Sequence, residues 1–453
     1  MFIRYRLRWA SRFGVALLIG MLTFSLVLTT APTRAQGAIA QATAAARQQQ
    51  RDQQVRQVRA ENYDVNRYPV TDANERHWRN ILWTTAVVEP QEPYVAEAIA
   101  RILSLAAQTG LSRPQQHTVE MALQIGTQLY FSNPTGYAAI GQQLRQVVER
   151  SPNAEWAAMS LSALAKTGLD PQQRQSLSDR LRQRFPQWTQ DVYLYTTLRD
   201  LALLDQAPAT PPLSDLLQWA IAPNQVHLYV VCRPDRGVLC QTVVKDGNGE
   251  FLRQNGQLWS MPLLLRSLHE LSWNFTRGQT PQGIYRIEGV RTADLTTFRA
   301  YGAYDLVKLF APYEEGVREF IPGRPGQLPA TLTAYQALLP PSWRSYYPIQ
   351  QSYWAGKAGR GLFRIHGSGE DPGFFTNNNR YPNSLGWNPA IGCLSALELY
   401  DDTGYLQQAH MPSLLSVLTR LGGRSFTGYL TVVEVPGSNT PISMAELEAA
   451  IAR

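Results

Sequence analysis

Two positions in this chain pair a nucleophile with a base, each beside glycine: His366 in FRIHGSG (363–369) and Cys393 in AIGCLSA (390–396). A cysteine thiol has an unperturbed pKa of about 8.5, so an efficient thiol nucleophile at neutral pH needs an imidazole to take its proton. Gly367 and Gly392 carry no Cβ, which lets backbone and ligand approach closely. Backbone N–H groups near Gly392 and Cys393 are then placed to face a developing oxyanion. Taken singly, each residue has an ordinary reading, a structural histidine at a strand end and a small buried hydrophobe. The pairing carries the chemical one.

Other chemistries lack their residues. The six histidines, at 77, 117, 227, 269, 366 and 410, form no HExxH, and no paired-cysteine zinc spacing or Gly-rich phosphate loop occurs. No GxSxG elbow occurs either. Neither a metal nor a cofactor is expected. The formal charge of +7 is concentrated at the N-terminus, where residues 1–35 hold five arginines and no acid, leaving +2 for the rest. That distribution gives no electrostatic case for a nucleic-acid partner.

The same N-terminus reads as an export signal. Arginines precede the apolar run Val15 to Leu28, and small residues follow to Ala35. The run is short for a spanning helix of about 20 residues, so cleavage is preferred, with an uncleaved membrane anchor as the alternative. Three cysteines in an exported chain leave an odd one. Cys232 and Cys240 flank a turn at 233–237 and would bridge if the hairpin register brings their Cβ atoms together; two separate buried thiols are the other reading. Cys393 is left over either way.

The elements that must position these residues fall into two halves. Residues 36–70 are rich in Ala, Gln and Arg and read as a polar linker, either helix or tether. From 71 to 222, apolar residues recur at three and four positions, predicting an all-α, solenoid- or bundle-like domain that is a scaffold or a surface for a protein partner. From 224 to 437, β-branched and period-two runs at 226–232, 238–244, 284–290, 362–366 and 425–435 predict a mainly-β α+β domain. The stretch 300–361 reads as an insertion or lid, and the residues after Cys393 are compatible with a helix. A C-terminal helix is expected within 438–453, opened by the capping-box spacing Ser443 to Glu446.

Three segments of the second half, in order, resemble the L,D-transpeptidase (YkuD-like) catalytic domain. Thr280-Pro281-Gln282-Gly283-Ile284-Tyr285-Arg286-Ile287 is similar to the family's T-P-x-G-x-[FY]-x-I segment, Ile365-His366-Gly367 to its H-G strand end, and Gly392-Cys393-Leu394 to its G-C-aliphatic motif. The resemblance covers about residues 224–437 and none of the helical half. It departs at Ala390, where Ser or Thr is usual, at Ile391, and at Ser395, often Arg or Asn. The 27-residue step from His366 to Cys393 is also longer than the family's, the excess falling in a loop around 377–383.

The resemblance implies a Cys393 nucleophile and a His366 base acting on peptidoglycan stem peptides in the periplasm or cell envelope. It places the chain in cell wall biogenesis and cell shape, with Thr280, Pro281, Gly283 and Ser395 as cleft or fold residues. Acyl transfer would pass from a tetrapeptide stem to an amine, or to water as carboxypeptidation. Three alternatives stand beside it. A cell-wall cysteine peptidase places Cys before His, the reverse of this order. A sortase needs a catalytic arginine after Cys, for which Arg420 and Arg424 are candidates. The third is a catalytically inactive exported protein that binds or scaffolds the wall.

Overall fold

The computed structural model describes residues 37–375 and 378–452; the export segment read over residues 1–35 lies outside them. The first half is helical: α1 (Ala44–Val55), α2 (Ala60–Tyr63), α3 (Glu75–Val88), α4 (Pro93–Ser104), α5 (Arg113–Ser132), α6 (Ala138–Arg150), α7 (Ala154–Lys166), α8 (Pro171–Arg184), α9 (Val192–Asp205) and α10 (Leu213–Gln218). Local chemistry sets their starts. Ser112 with Gln115 and Asp170 with Gln173 form capping boxes ahead of α5 and α8, each with Pro in the first turn. From α3 to α9 the helices pack on next-but-one neighbours, α3 on α5, α4 on α6, α5 on α7 and α7 on α9, and also on adjacent ones, α6 on α7 and α4 on α5. Their core is built by Trp78, Leu82, Ile99, Leu123, Leu144, Leu161 and Leu198.

The second half is a mixed sheet region. Its strands are β1 (Val226–Cys232), β2 (Cys240–Lys245), β3 (Arg253–Gln254), β4 (Gln257–Leu258), β5 (Ser260–Leu263), β6 (Gly283–Arg291), β7 (Leu306–Phe310), β8 (Arg364–His366), β9 (Leu394–Ser395), β10 (Glu398–Tyr400), β11 (Leu406–Ala409) and β12 (Thr427–Glu434). The main sheet runs in the order β5-β2-β1-β12-β6-β7-β8-β9. Its β1–β12 and β8–β9 pairs are parallel and its other pairs antiparallel. Both faces are covered, because Leu228 and Val230 of β1 enter one core and Tyr229 and Val231 the other. Helix Met411–Gly422 packs on the first face through Leu414 and Leu418. The C-terminal helix Met444–Ile451, capped by Ser443 and Glu446, joins the second through Leu447.

Three features depart from the sequence reading. The supposed linker holds α1, which is docked: Ile39 N–H donates to Gly404 O at 2.9 Å, Ala44 N–H to Asp402 O at 2.9 Å, and Arg51 to Gly373 O and Phe374 O. These contacts are polar, so apolar periodicity carries no trace of them. Within the supposed insertion, Leu306–Phe310 is an inner strand between β6 and β8, and its nearly continuous apolar run hides any period of two. Cys393 leads into strand β9 rather than a helix, since Leu394 and Ser395 are claimed by pairing with β8.

The helical and sheet halves pack together within one compact unit that begins at Ala38. The loop between β5 and β6 lies in the helical core through Leu268, Leu271 and Phe275. Several of its polar groups find partners there: His269 Nδ1 meets Gln128 Oε1 at 2.9 Å, Asn274 donates to Thr196 and Thr197 hydroxyls at 2.9 and 3.0 Å, and Lys166 Nζ donates to Glu270 O at 2.7 Å, whereas His269 Nε2 and Asn274 Oδ1 are buried without a hydrogen-bond partner. Cys232 and Cys240 are joined as a disulfide across the β1–β2 hairpin, leaving Cys393 as a free thiol.

Candidate active site

The β8–β9 pairing brings the two reactive side chains together. Ile365 is opposite Leu394 and His366 opposite Ser395, so Cys393, just before β9, lies diagonal to His366. Ile365 and Leu394 face the core, which turns the alternate residues His366 and Ser395 to the other side. There, His366, Cys393 and Ser395 border one cavity of about 170 Å³. Parallel neighbours require the chain to return to the same end of the sheet, and residues 367–393 make that crossing in short turns at Pro372–Phe374, Asn378–Arg380 and Pro382–Ser384.

His366 is buried, and its Nδ1 lies 2.6 Å from Gly367 O. A carbonyl only accepts, so Nδ1 carries the proton and Nε2 keeps its lone pair, the tautomer a general base requires. Burial pushes the imidazole down to about 4, against a smaller raising effect of the Gly367 carbonyl, so it is neutral at physiological pH. The ring of Tyr301 meets it edge-on at 4.9 Å. Gly367 therefore orients the base through its carbonyl, and Glu398 packs where a Cβ on Gly367 would lie.

The Cys393 thiol donates to Leu362 O at 3.8 Å. Burial raises its pKa, opposed by a backbone hydrogen bond from Arg364 and by the guanidinium charges of Arg364 and Arg360. Leu362 has a left-handed φ of 61° and an exposed side chain, and its N–H is held by Glu314 Oε1 at 2.8 Å. Burial thus favours the neutral form of both the Cys393 thiol and the His366 imidazole.

The first motif is tied directly to the third. The buried Thr280 hydroxyl lies 3.0 Å from Gly392 O and 3.4 Å from Cys393 O, fixing the backbone at the nucleophile. Gly392 has φ +120°, and a Cβ there would come within 2.7 Å of Arg360 Nη2. Arg360, buried itself, donates to Trp273 O, to Gln279 O at 3.0 Å and to Gly278 O at 2.9 Å, gathering the loop that leads into Thr280. Gly283 has φ +127°, and a Cβ there would overlap Ser352 Oγ and Tyr335 Oη. Pro281 O accepts the Tyr285 hydroxyl at 2.8 Å. Pro281 and Gly283 thus shape the fold under the cleft.

Cys393 also borders a second cavity of about 780 Å³, lined by Arg277, Glu314, Arg360 and Leu362 among others. Tyr301 and Ile391 are shared with the first, so the thiol stands on the wall between them. Sequence reasoning missed several residues here. Tyr301 falls inside the supposed insertion, Leu362 opens the expected strand run 362–366, and Gln50, Trp83 and Val87 reach the first cavity from α1 and α3. Arg360 carries no motif. Among the described residues no group of three or more His, Cys, Asp or Glu side chains could hold a metal ion, and no helix is long and apolar enough to cross a membrane.

No protein-family model, curated protein or solved structure matches this chain. The functional reading therefore rests on the motifs and on the geometry they form.

Proposed function

We propose that the protein is an exported L,D-transpeptidase acting on peptidoglycan in the periplasm or cell envelope, with an L,D-transpeptidase-like catalytic domain joined to a helical one. The observation that supports it is the convergence of the three motif segments. His366 and Cys393 border one cavity from adjacent parallel strands, and Thr280 holds the Gly392–Cys393 backbone. In this reading Cys393 Sγ attacks the carbonyl of an L-to-D peptide bond in a tetrapeptide stem while His366 Nε2 takes the thiol proton. Backbone N–H groups at Gly392 and Cys393 face the tetrahedral oxygen. His366 then protonates the departing D-amino acid, and an amine or water resolves the thioester.

One observation favours a second reading, a catalytically inactive wall-binding or scaffolding protein: the thiol hydrogen-bonds Leu362 O, and burial raises its pKa. A single experiment separates the two. The purified full chain is incubated with a carbapenem and weighed intact, and D-alanine release from tetrapeptide stems is followed in parallel. An adduct and release, both lost in Cys393→Ala, support the enzyme. Absence of both from the wild type sinks it.

A further inference from the structure

Two arginines flank the Cys393 thiol from different elements. The pairing of Ile365 with Leu394 and of His366 with Ser395, continued back by one position, sets Arg364 opposite Cys393. Side chains alternate along a strand, so Arg364 shares a face with His366, away from the core that holds Ile365. Arg360 comes from the turn before β8. Its Nη2 packs against Gly392, and with Cys393 it borders the cavity of about 780 Å³.

Both guanidinium groups lack a counter-ion. Arg360, only 7% exposed, donates to the carbonyls of Trp273, Gly278 and Gln279, and Arg364 to those of Leu309 and Phe363. Neither forms an ion pair among the described residues. Carbonyl dipoles orient a guanidinium without cancelling its charge, and an interior charge left unpaired is costly. The neighbours do not supply the missing anion. Burial pushes Arg360 down to about 10, so it stays protonated at neutral pH, and burial holds the adjacent Tyr285 phenol neutral. Glu314 acts on Arg364, but its two oxygens accept the backbone N–H groups of Ala311 and Leu362. Its charge disfavours a thiolate at Cys393 less than either guanidinium favours one. Arg277 also lines the large cavity and has Glu120 to offset it. Tyr301, Tyr313, His366, Glu315 and Glu370 complete the titratable lining of the two cavities.

We infer that Arg360 and Arg364 form a cationic flank that stabilises the negative charge built at Cys393 during attack. The inference rests on the acyl-transfer reading for its purpose. On attack the thiol proton passes to His366 Nε2, Sγ forms its bond to the carbonyl carbon, and the carbonyl π pair moves to oxygen. The sulfur carries negative charge until that bond is complete, and the unpaired guanidinium charges are its counterweight against burial. Neither arginine side chain hydrogen-bonds the sulfur among the described residues, so each acts on it through charge.

The test reads the thiol directly. Alkylation of the full chain by iodoacetamide, in which the Cys393 thiolate displaces iodide, is followed by intact mass between about pH 6 and 10. That range brackets the unperturbed thiol value of about 8.5, and the other two cysteines are held in their disulfide. Arg360→Met and Arg364→Met are compared with Arg360→Lys and Arg364→Lys, with thermal unfolding as the check on folding. Each Met variant is expected to raise the midpoint by about 1 pH unit or more. Each Lys variant keeps the charge without the planar fork and is expected to shift by less than about half as much. A purely structural clip would move the Lys and Met variants together. Unmoved midpoints in the Met variants, or equal shifts in Lys and Met, overturn the inference. Where Arg360→Met does not fold, the pair at Arg364, a half-buried strand position, decides. A carbapenem adduct on wild type without the Lys–Met difference overturns the flank alone. That difference without an adduct overturns the acyl-transfer reading and leaves the flank standing.

Discussion

His366 and Cys393 lie diagonally across the parallel β8–β9 pair, the histidine opposite Ser395 and the cysteine two positions before it. The imidazole is held from behind by Gly367 O, whereas the thiol is turned toward Leu362 O. In the proposed mechanism the imidazole is thus already oriented, whereas the thiol must leave Leu362 O to meet it.

The state of the base predicts a pH profile. Burial holds His366 at about 4, so its competent neutral form predominates above that value. The acid limb of carbapenem acylation should centre near 4, with the rate varying less than about threefold between about pH 5.5 and 7.5. Stopped-flow or mass-resolved acylation rates check this. A limb centred near the unperturbed histidine value of about 6.5 would contradict a buried base. His366→Gln should lower the rate by about 10²–10⁴-fold.

Thr280 spans two motifs with one hydroxyl. Thr280→Val keeps the shape but strands the buried carbonyls of Gly392 and Cys393, at a cost of about 1–3 kcal/mol by denaturant unfolding. Thr280→Ser restores the donor and should recover most of the acylation rate. Equal rates in both variants would show that the hydroxyl does not position the nucleophile.

Gly392→Ala places a side chain in the left-handed region and presses it on Arg360 Nη2. Strain of about 1–3 kcal/mol is expected, together with loss of acylation, because Arg360 also gathers the loop that leads into Thr280. Thermal unfolding and adduct formation read the two effects separately. Wild-type behaviour in both would remove the steric argument.

Trp83 brings the helical half to the cleft and is 39% exposed. Trp83→Ala should therefore change stability by less than about 1 kcal/mol while weakening substrate binding, seen as a raised KM with kcat little altered. A scaffold standing apart from the cleft would predict no change in KM.

Buried histidines also set the acid stability. His269, wedged between the halves, is held down at about 3 by burial, so it is neutral when folded and protonates on unfolding below about 6.5. Its stabilising contribution is present above that pH and falls by about 1.4 kcal/mol per pH unit from about 6.5 down toward the folded value. Glu398 and Asp200, raised to about 7, act in the opposite sense, so the contribution is read as the difference in slope between wild type and His269→Gln. Parallel slopes would sink it.

By itself the sequence singled out His366 and Cys393 and determined the order of the three motif segments, most long strands of the sheet and the change from helical to β texture near residue 222. These are local signals, carried by residue type, spacing and hydrophobic period. The tertiary structure decided what depends on partners far along the chain. Pairing with β8 made Leu394–Ser395 a strand, and the carbonyl of Gly367 chose the tautomer of His366. Polar docking made a helical wall of the supposed linker, and Arg360 was set behind Gly392. Such contacts join residues tens to hundreds of positions apart through hydrogen bonds and single close approaches, which leave no periodic mark in the chain that makes them.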